Sequence, residues 1–434
     1  MKNIPVDYIV VKEAMDYLGI VDLGRATIRE IVAISSFIEA KTGVEFIRME
    51  MGVPGLPPSK VGVRAEMEAL RQGVASAYPD INGVKDLKNE ASRFIRAFVG
   101  VDVRPEACVP VTGSMQGTFA SFLIAGQCEE GKDTILFIDP GFPVQKQQIA
   151  VMGYKYVSFD VYKFRGEKLA GALERFLAKG NIAAIVYSNP NNPAWICLTD
   201  RELEIIARKA SDFDAIVIED LAYFRMDFRK KPVSAFNPPY QASIANHSDN
   251  YIIHISGSKI FSYAGQRIGV AAIANKLYDR SYPALNARYG AGTFGQVYIH
   301  RILYSLSSGT SHSAQYALAA MFKAASDGPF TLTGDVTEYG RRAKLMKDIF
   351  VSNGFHIVYD LDIDRPIADG FYFTVGYQGM SGDDLAAQLI RFGISAISLS
   401  TTGSEEEGIR ACTSFIKDHQ YTLLDKRLKL FTRP

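Results

Sequence analysis

Ser256-Gly257-Ser258-Lys259-Ile260-Phe261-Ser262-Tyr263-Ala264-Gly265-Gln266-Arg267-Ile268-Gly269 follows directly on an apolar run, Tyr251 to Ile255, that reads as a buried strand. The stretch delivers a lysine to the mouth of a sheet, with small and hydroxylated neighbours and an arginine eight positions on. An amine there suits the carbonyl carbon of a ligand, and a guanidinium with serine hydroxyls suits a phosphate. Taken alone, any lysine reads first as a solvated surface charge. The rest of the chain decides between the two.

Upstream, short apolar runs alternate with helical patterns from about residue 60 to 300. Candidate strands are 107–111, 134–138, 182–187, 215–218, 251–255 and 270–273. Such alternation predicts an α/β fold with a mainly parallel sheet covered on both faces. Thr199-Asp200-Arg201-Glu202 is a capping box opening a helix. Ala26 to Lys41 has helical apolar spacing and stops at Gly43, after an extended arm with a short helix. The breaker-rich Met51-Gly52-Val53-Pro54-Gly55-Leu56-Pro57-Pro58 reads as a crossing between domains. Two long helical patterns follow residue 310, broken near Asp327-Gly328-Pro329, and strand-like runs come at 371–375, 394–399 and 409–415. The division expected is a large α/β domain over 59–305 and a smaller α+β domain from 1–58 with 306–434.

At 434 residues two domains are the prior. An apolar content of 47% and charged content of 22% are those of a soluble globular protein, and a net charge of +1 gives no electrostatic case for nucleic acid or an anionic membrane. Cys108, Cys128, Cys197 and Cys412 are far apart and form no metal-ligand spacing, so no metal is expected. No apolar signal stretch and no membrane-length run is present, and the expected location is the cytoplasm.

Ligands of open parallel sheets bind beyond the C-terminal strand ends, and five such ends here carry relevant residues. Residues 107–111 lead into Thr112-Gly113-Ser114-Met115-Gln116-Gly117, a glycine turn whose free N–H groups could receive a phosphate or form an ordinary capped turn. Residues 134–138 lead to Asp139-Pro140-Gly141-Phe142, whose ring could stack on a flat heteroaromatic or pack in the core. Residues 182–187 lead to Ser188-Asn189-Pro190-Asn191-Asn192-Pro193, a rigid polar loop that also reads as a structural turn. Residues 215–218 end in Glu219-Asp220-Leu221-Ala222-Tyr223. Asp220 is costly to bury unpaired; it suits a protonated pyridine nitrogen, or a helix N-cap. The fifth end carries Lys259 and Arg267. Together they describe a cradle for pyridoxal 5'-phosphate (PLP), with Lys259 as its Schiff-base lysine.

In these motifs the sequence resembles the fold-type I PLP enzymes of the class I/II aminotransferases, typified by aspartate aminotransferase. Ser256-x-Ser-Lys259 with Arg267 is the most specific match, preceded in order by Asn-Pro-x-Asn-Pro and Asp220-x-Ala-Tyr223, and the likeness runs from about Ala26 to Phe415. The resemblance implies a PLP-dependent transferase fold and a ping-pong exchange of an amino group between an L-amino acid and a 2-oxo acid. Lys259, Asp220 and Tyr223 are then catalytic. Asp220 pairs with the pyridine nitrogen and Asn192 and Tyr223 with the phenolate oxygen. Phe142 stacks on the ring, and Gly113, Ser114, Met115, Ser256 and Arg267 hold the phosphate. Arg410, with Asn192 and Gly52, binds the substrate carboxylate. Tyr78 reaches the phosphate of a neighbouring subunit, which implies a homodimer with shared sites.

Departures accompany the resemblance. Ala194-Trp195 replaces the family's usual Thr-Gly, placing the only tryptophan where the family turns on glycine. Glu405-Glu406-Glu407 precedes Arg410; it reads as a solvated charge run, and would disfavour anionic substrates if it pointed inward. Arg288 lies in the region where dicarboxylate enzymes place a second arginine, or is a surface charge. The alternative activity on this scaffold is a C–S/β-lyase or another PLP lyase. A non-catalytic PLP-binding regulator is disfavoured, since the fold signature begins by residue 26 and leaves no room for a DNA-binding helix-turn-helix.

Overall fold

The apolar runs named above form a seven-stranded sheet: β1 (Cys108–Val111), β2 (Thr134–Asp139), β3 (Lys155–Asp160), β4 (Ile182–Ser188), β5 (Ile216–Asp220), β6 (Tyr251–Ser256) and β7 (Gly269–Ile273). The computed structural model describes all residues except 1–3, 230–233, 291, 329–333, 335 and 433–434. Spatial order is β1-β7-β6-β5-β4-β2-β3. The pairs among β2 to β6 are parallel, and β7 alone runs antiparallel to both its neighbours, β1 and β6. The sheet is mainly parallel, as the alternating pattern predicts.

β1, β2, β5, β6 and β7 are buried at every position, which requires cover on both faces. The Gly113–Cys128 helix packs against β4 to β7. It carries no charged residue, as a helix buried all round should. β3 escapes the sequence reading for a physical reason: it is an edge strand with Lys155 and Tyr156 exposed, so no continuous apolar run marks it.

A second, antiparallel sheet has the order β10-β11-β9-β8, from β8 (Phe355–Ile357), β9 (Tyr372–Tyr377), β10 (Ile397–Ser398) and β11 (Ile409–Cys412). The run expected at 394–399 is split: Ile394–Ser395 pairs in parallel with Ile47–Arg48, whereas β10 pairs with β11. The N-terminal segment is thereby tied to the stretch that leads into β10. Its helices Tyr8–Leu18 and Ile28–Thr42, the latter opened by a Thr27 capping box and closed by Gly43, bury a cluster that includes Ile390 and Ile397.

The His312–Asp327 helix packs on Lys60–Arg71 and Lys85–Phe98 and adds Leu318, Met321 and Phe322 to the large apolar cluster of the first sheet. In sequence the helix lies beyond residue 305. It ends at Gly328, in the left-handed conformation; Pro329 lies outside the described residues. No described helix is long and apolar enough to cross a membrane.

Candidate active site

Cross-strand register sets the C-terminal strand ends side by side. Val111 and Ser256 both lie opposite Gly269, while Asp220 lies opposite Ser188 and His254. The segments that follow β1, β4, β5 and β6 therefore converge on one edge of the sheet.

Gly113 opens its helix at φ +68°, and a Cβ there would come within 2.6 Å of Arg267 Nη2. Only glycine allows this approach of guanidinium to helix end. The first-turn N–H groups of Gly113, Ser114 and Met115 have no helical carbonyl to donate to. Ser256 Oγ caps the next turn, accepting from Ser258 N at 3.1 Å and lying 2.8 Å from Ser258 Oγ. Arg267 Nη1 donates to Ala264 O at 2.8 Å and reaches Ser258 Oγ at 3.5 Å; no carboxylate among the described residues pairs with it. Ser114 Oγ is buried without a hydrogen bond of normal geometry, though near enough to Asp220 to help hold down its pKa.

Asp220, at the end of β5, accepts from Gln145 Nε2 at 3.2 Å and from Ala222 N at 3.1 Å. Burial pushes its carboxyl up to about 6, against those bonds and the nearby Lys259 charge. Lys259 Nζ donates to Gly52 O and lies 5.5 Å from the Phe371 ring centroid. Burial of the amine, reinforced by the charges of Arg267 and Arg410, pushes its pKa down to about 8.

Three asparagines lock the loop after β4. Asn189 accepts from Leu198 N at 3.1 Å, Asn191 donates to Pro140 O at 2.6 Å and accepts from Ala194 N at 3.0 Å, and Asn192 Oδ1 accepts from Arg410 Nη1 at 3.2 Å. The Asn189-Pro190 and Asn192-Pro193 bonds are cis. Arg410, on β11, is 1% exposed. Its Nη2 donates to Glu50 O, its Nε has no partner, and the Tyr372 ring covers it at 4.6 Å. Tyr223 OH donates to Tyr372 OH at 2.9 Å. Two charged arginines thus face the Lys259 amine without a described carboxylate to neutralise them, an arrangement that favours anionic ligands.

Phe142 is half-buried at the N-cap of the Pro143–Met152 helix and pairs with no other described aromatic ring. Tyr78 is 91% exposed, making none of these contacts within its own chain. Arg288 is exposed on the Pro283–Tyr289 helix and acts on Tyr154, whose hydroxyl donates to Leu123 O. That is ten residues, about 15 Å, along the helix from Gly113. Glu405 and Glu406 face Lys163 (3.5 and 3.1 Å) and Glu407 accepts from Gly382 N at 2.6 Å, so the acidic run is turned away from Arg410. Gln145, Phe371, Tyr372 and the Glu50 carbonyl join the site without any motif marking them. Ser258 could have been taken from the Ser-x-Ser run.

The residues fit PLP on the chain's own evidence. A Cβ would fill the Gly113 approach, the Ser114 hydroxyl makes no hydrogen bond of normal geometry among the described residues, no described carboxylate pairs with Arg267, and a buried carboxylate stands near a buried amine. A family model described as "Aminotransferase class I and II" matches residues 44–423. An asparagine–oxo-acid transaminase of Streptococcus mutans is 24% identical over 56% of this chain and 61% of its own length. An aspartate aminotransferase of Sulfolobus acidocaldarius is 23% identical over 61% of this chain and 64% of its own. These two alignments therefore span about six tenths of the relatives' length. The crystal structure of an aminotransferase from Mycobacterium tuberculosis superposes with a TM-score of 0.75 at 16% identity, covering 93% of this chain and 96% of that one, a likeness of fold.

Proposed function

Because this chain belongs to the class I and II aminotransferase family, we propose that it moves an amino group between an L-amino acid and a 2-oxo acid in two half-reactions. The observation that carries this reading is the buried Lys259 amine, placed at the sheet edge with Asp220 and with two arginines that no described carboxylate pairs with. PLP, the cofactor of this family, supplies an electron sink for the carbanion left at the substrate α-carbon.

The chain's residues divide the remaining work. Gly113, Ser114, Met115, Ser256 and Arg267 would hold the phosphate, Phe142 would flank the ring, and Asn192 and Tyr223 would bond its phenolate oxygen. Asp220 keeps the pyridine nitrogen protonated by pairing with it. Arg410, Asn192 and Gly52 hold the substrate carboxylate, which fixes the α-carbon beside Lys259 Nζ. Lys259 would attach the cofactor, and its amine would carry the α-proton. A pKa near 8 leaves a useful neutral fraction at physiological pH for taking that proton.

The test is the absorbance of the PLP-loaded protein as single L-amino acids are added. Loss of the bound-cofactor band and its return with a 2-oxo acid supports the transaminase. A band that persists while ammonia or a thiol accumulates identifies a lyase, and no bound-cofactor band at all overturns the reading.

Asp220 gives a pH prediction. Its carboxylate form, which the pyridine nitrogen requires, is lost below about pH 6. PLP affinity of the apoprotein should fall about tenfold per pH unit below that point. Asp220→Asn should flatten the profile and weaken binding throughout; a titration of cofactor fluorescence from pH 5 to 8 checks both.

The active unit is a cytoplasmic homodimer in this reading, with Tyr78 of one subunit reaching the other's phosphate. Its 91% exposure, with exposed Tyr8, Ile9 and Tyr17, supports a partner surface. Sedimentation should give twice the chain mass, and Tyr78→Ala should weaken PLP binding without unfolding the protein.

A further inference from the structure

Trp195 stands at φ +63°, a backbone conformation that bulky residues rarely adopt. It is nevertheless fully buried. Its indole lies on Gly370, where any Cβ would overlap the ring. A side chain occupies a conformation suited to glycine, and a glycine occupies the place where a side chain would collide with it. The indole meets Tyr223 at 5.2 Å and Tyr372 at 6.1 Å between centroids, both edge-on.

Tyr372 links this wedge to the reacting groups. Its ring covers the Arg410 guanidinium at 4.6 Å, and its hydroxyl abuts Gly52, whose carbonyl accepts from Lys259. That hydroxyl lies 2.9 Å from the Tyr223 hydroxyl, from which it accepts here; with the Tyr223 proton turned to a phenolate oxygen, the Tyr372 proton would have only a neutral phenol oxygen to go to among the described residues. A carboxylate is the stronger acceptor for it. Arg410 Nη1 and Nη2 each spend one N–H, on Asn192 and the Glu50 carbonyl, and Nε has no partner among the described residues. A carboxylate arriving there has about four acceptor positions to satisfy, and Tyr372 is placed to serve one.

We propose that Tyr372 is a substrate-positioning residue: it clamps Arg410 from one face and donates its hydroxyl to the ligand carboxylate, and Trp195 is the wedge that holds it in place. The proposal rests on the reading of Arg410 as the carboxylate site. It makes the Ala194-Trp195 departure a specificity device, narrowing the space over Arg410.

The test uses the PLP-loaded protein and 2-oxoglutarate, which has no amine to give to that form. Trp195 is the only tryptophan, so its emission reports binding directly; calorimetry serves variants that lack it. Tyr372→Phe should weaken binding about tenfold, the loss of one hydrogen bond to a charged group. Trp195→Ala should weaken it comparably although the indole touches no ligand, and Trp195→Phe should restore most of the affinity. The double variant should be little worse than either single one, because both act through one contact. If Tyr372→Phe binds within twofold of the parent while Arg410→Lys loses affinity, Tyr372 is mere packing and the proposal falls with the Arg410 reading intact. If both variants bind as the parent does, the Arg410 reading fails as well. Tyr372→Phe carries the test alone should Trp195→Ala not fold.

Discussion

Replacing Lys259 with alanine is expected to lower turnover by at least about 10⁴-fold, the upper end of what a positioned acid–base group contributes. The loss should be this large because no second amine stands in for it: Arg267 and Arg410 remain charged, and Asp220 is committed to Gln145 and Ala222. Borohydride treatment should fix the cofactor to the Lys259 peptide in the parent protein and to no peptide in the variant. The apoprotein provides an independent check. The folded pKa of Lys259 is about 8, below its ordinary 10.5, so the unfolded chain binds the extra proton between those values. Apoprotein stability should therefore gain a rising contribution from pH 8 to about 10.5, and Lys259→Ala should erase that slope.

Arg410→Lys should be the next most damaging change, with kcat/KM down about 10²- to 10³-fold. A lysine keeps the charge but not the planar fork, and it leaves Asn192 Oδ1 and Glu50 O competing for one ammonium. Each lost charge-assisted bond is worth about 1.5–3 kcal/mol, and two near the lower end of that span account for the range. The defect should appear chiefly in KM for both amino acid and oxo acid, with the bound-cofactor band unchanged. A matching loss of the cofactor band would place Arg410 in the cradle instead.

Much of the site was legible because parallel strands buried on both faces announce themselves as apolar runs, and chemistry sits where the runs stop. The strand-end reading picked out Gly113, Asn192, Asp220 and Lys259, which the structure brings to one edge of the sheet. The half-exposed β3 carries no such mark, and 394–399 looked continuous because each short piece is apolar whichever partner it meets. Gln145 and Tyr372 were hidden for a different reason. Their relevance depends on which helix face and which second-sheet strand come to rest against the first sheet, and no local pattern encodes that. Trp195 was visible as an oddity, but only its contact with Gly370 gives it a place to go.

The Arg410–Glu50 bond joins residues 360 apart, and Lys259–Gly52 spans 207. During synthesis the lysine, the aspartate and the phosphate loop all leave the ribosome before the arginine does. At roughly 5–20 residues per second, the nascent chain carries Lys259 for on the order of 10 s before Arg410, the proposed carboxylate site, is made. In the proposed reading, Lys259 would stay open to other aldehydes until the second sheet and Gly52 close over it. Early capture of the cofactor by the incomplete chain would act as a protecting group for its own lysine.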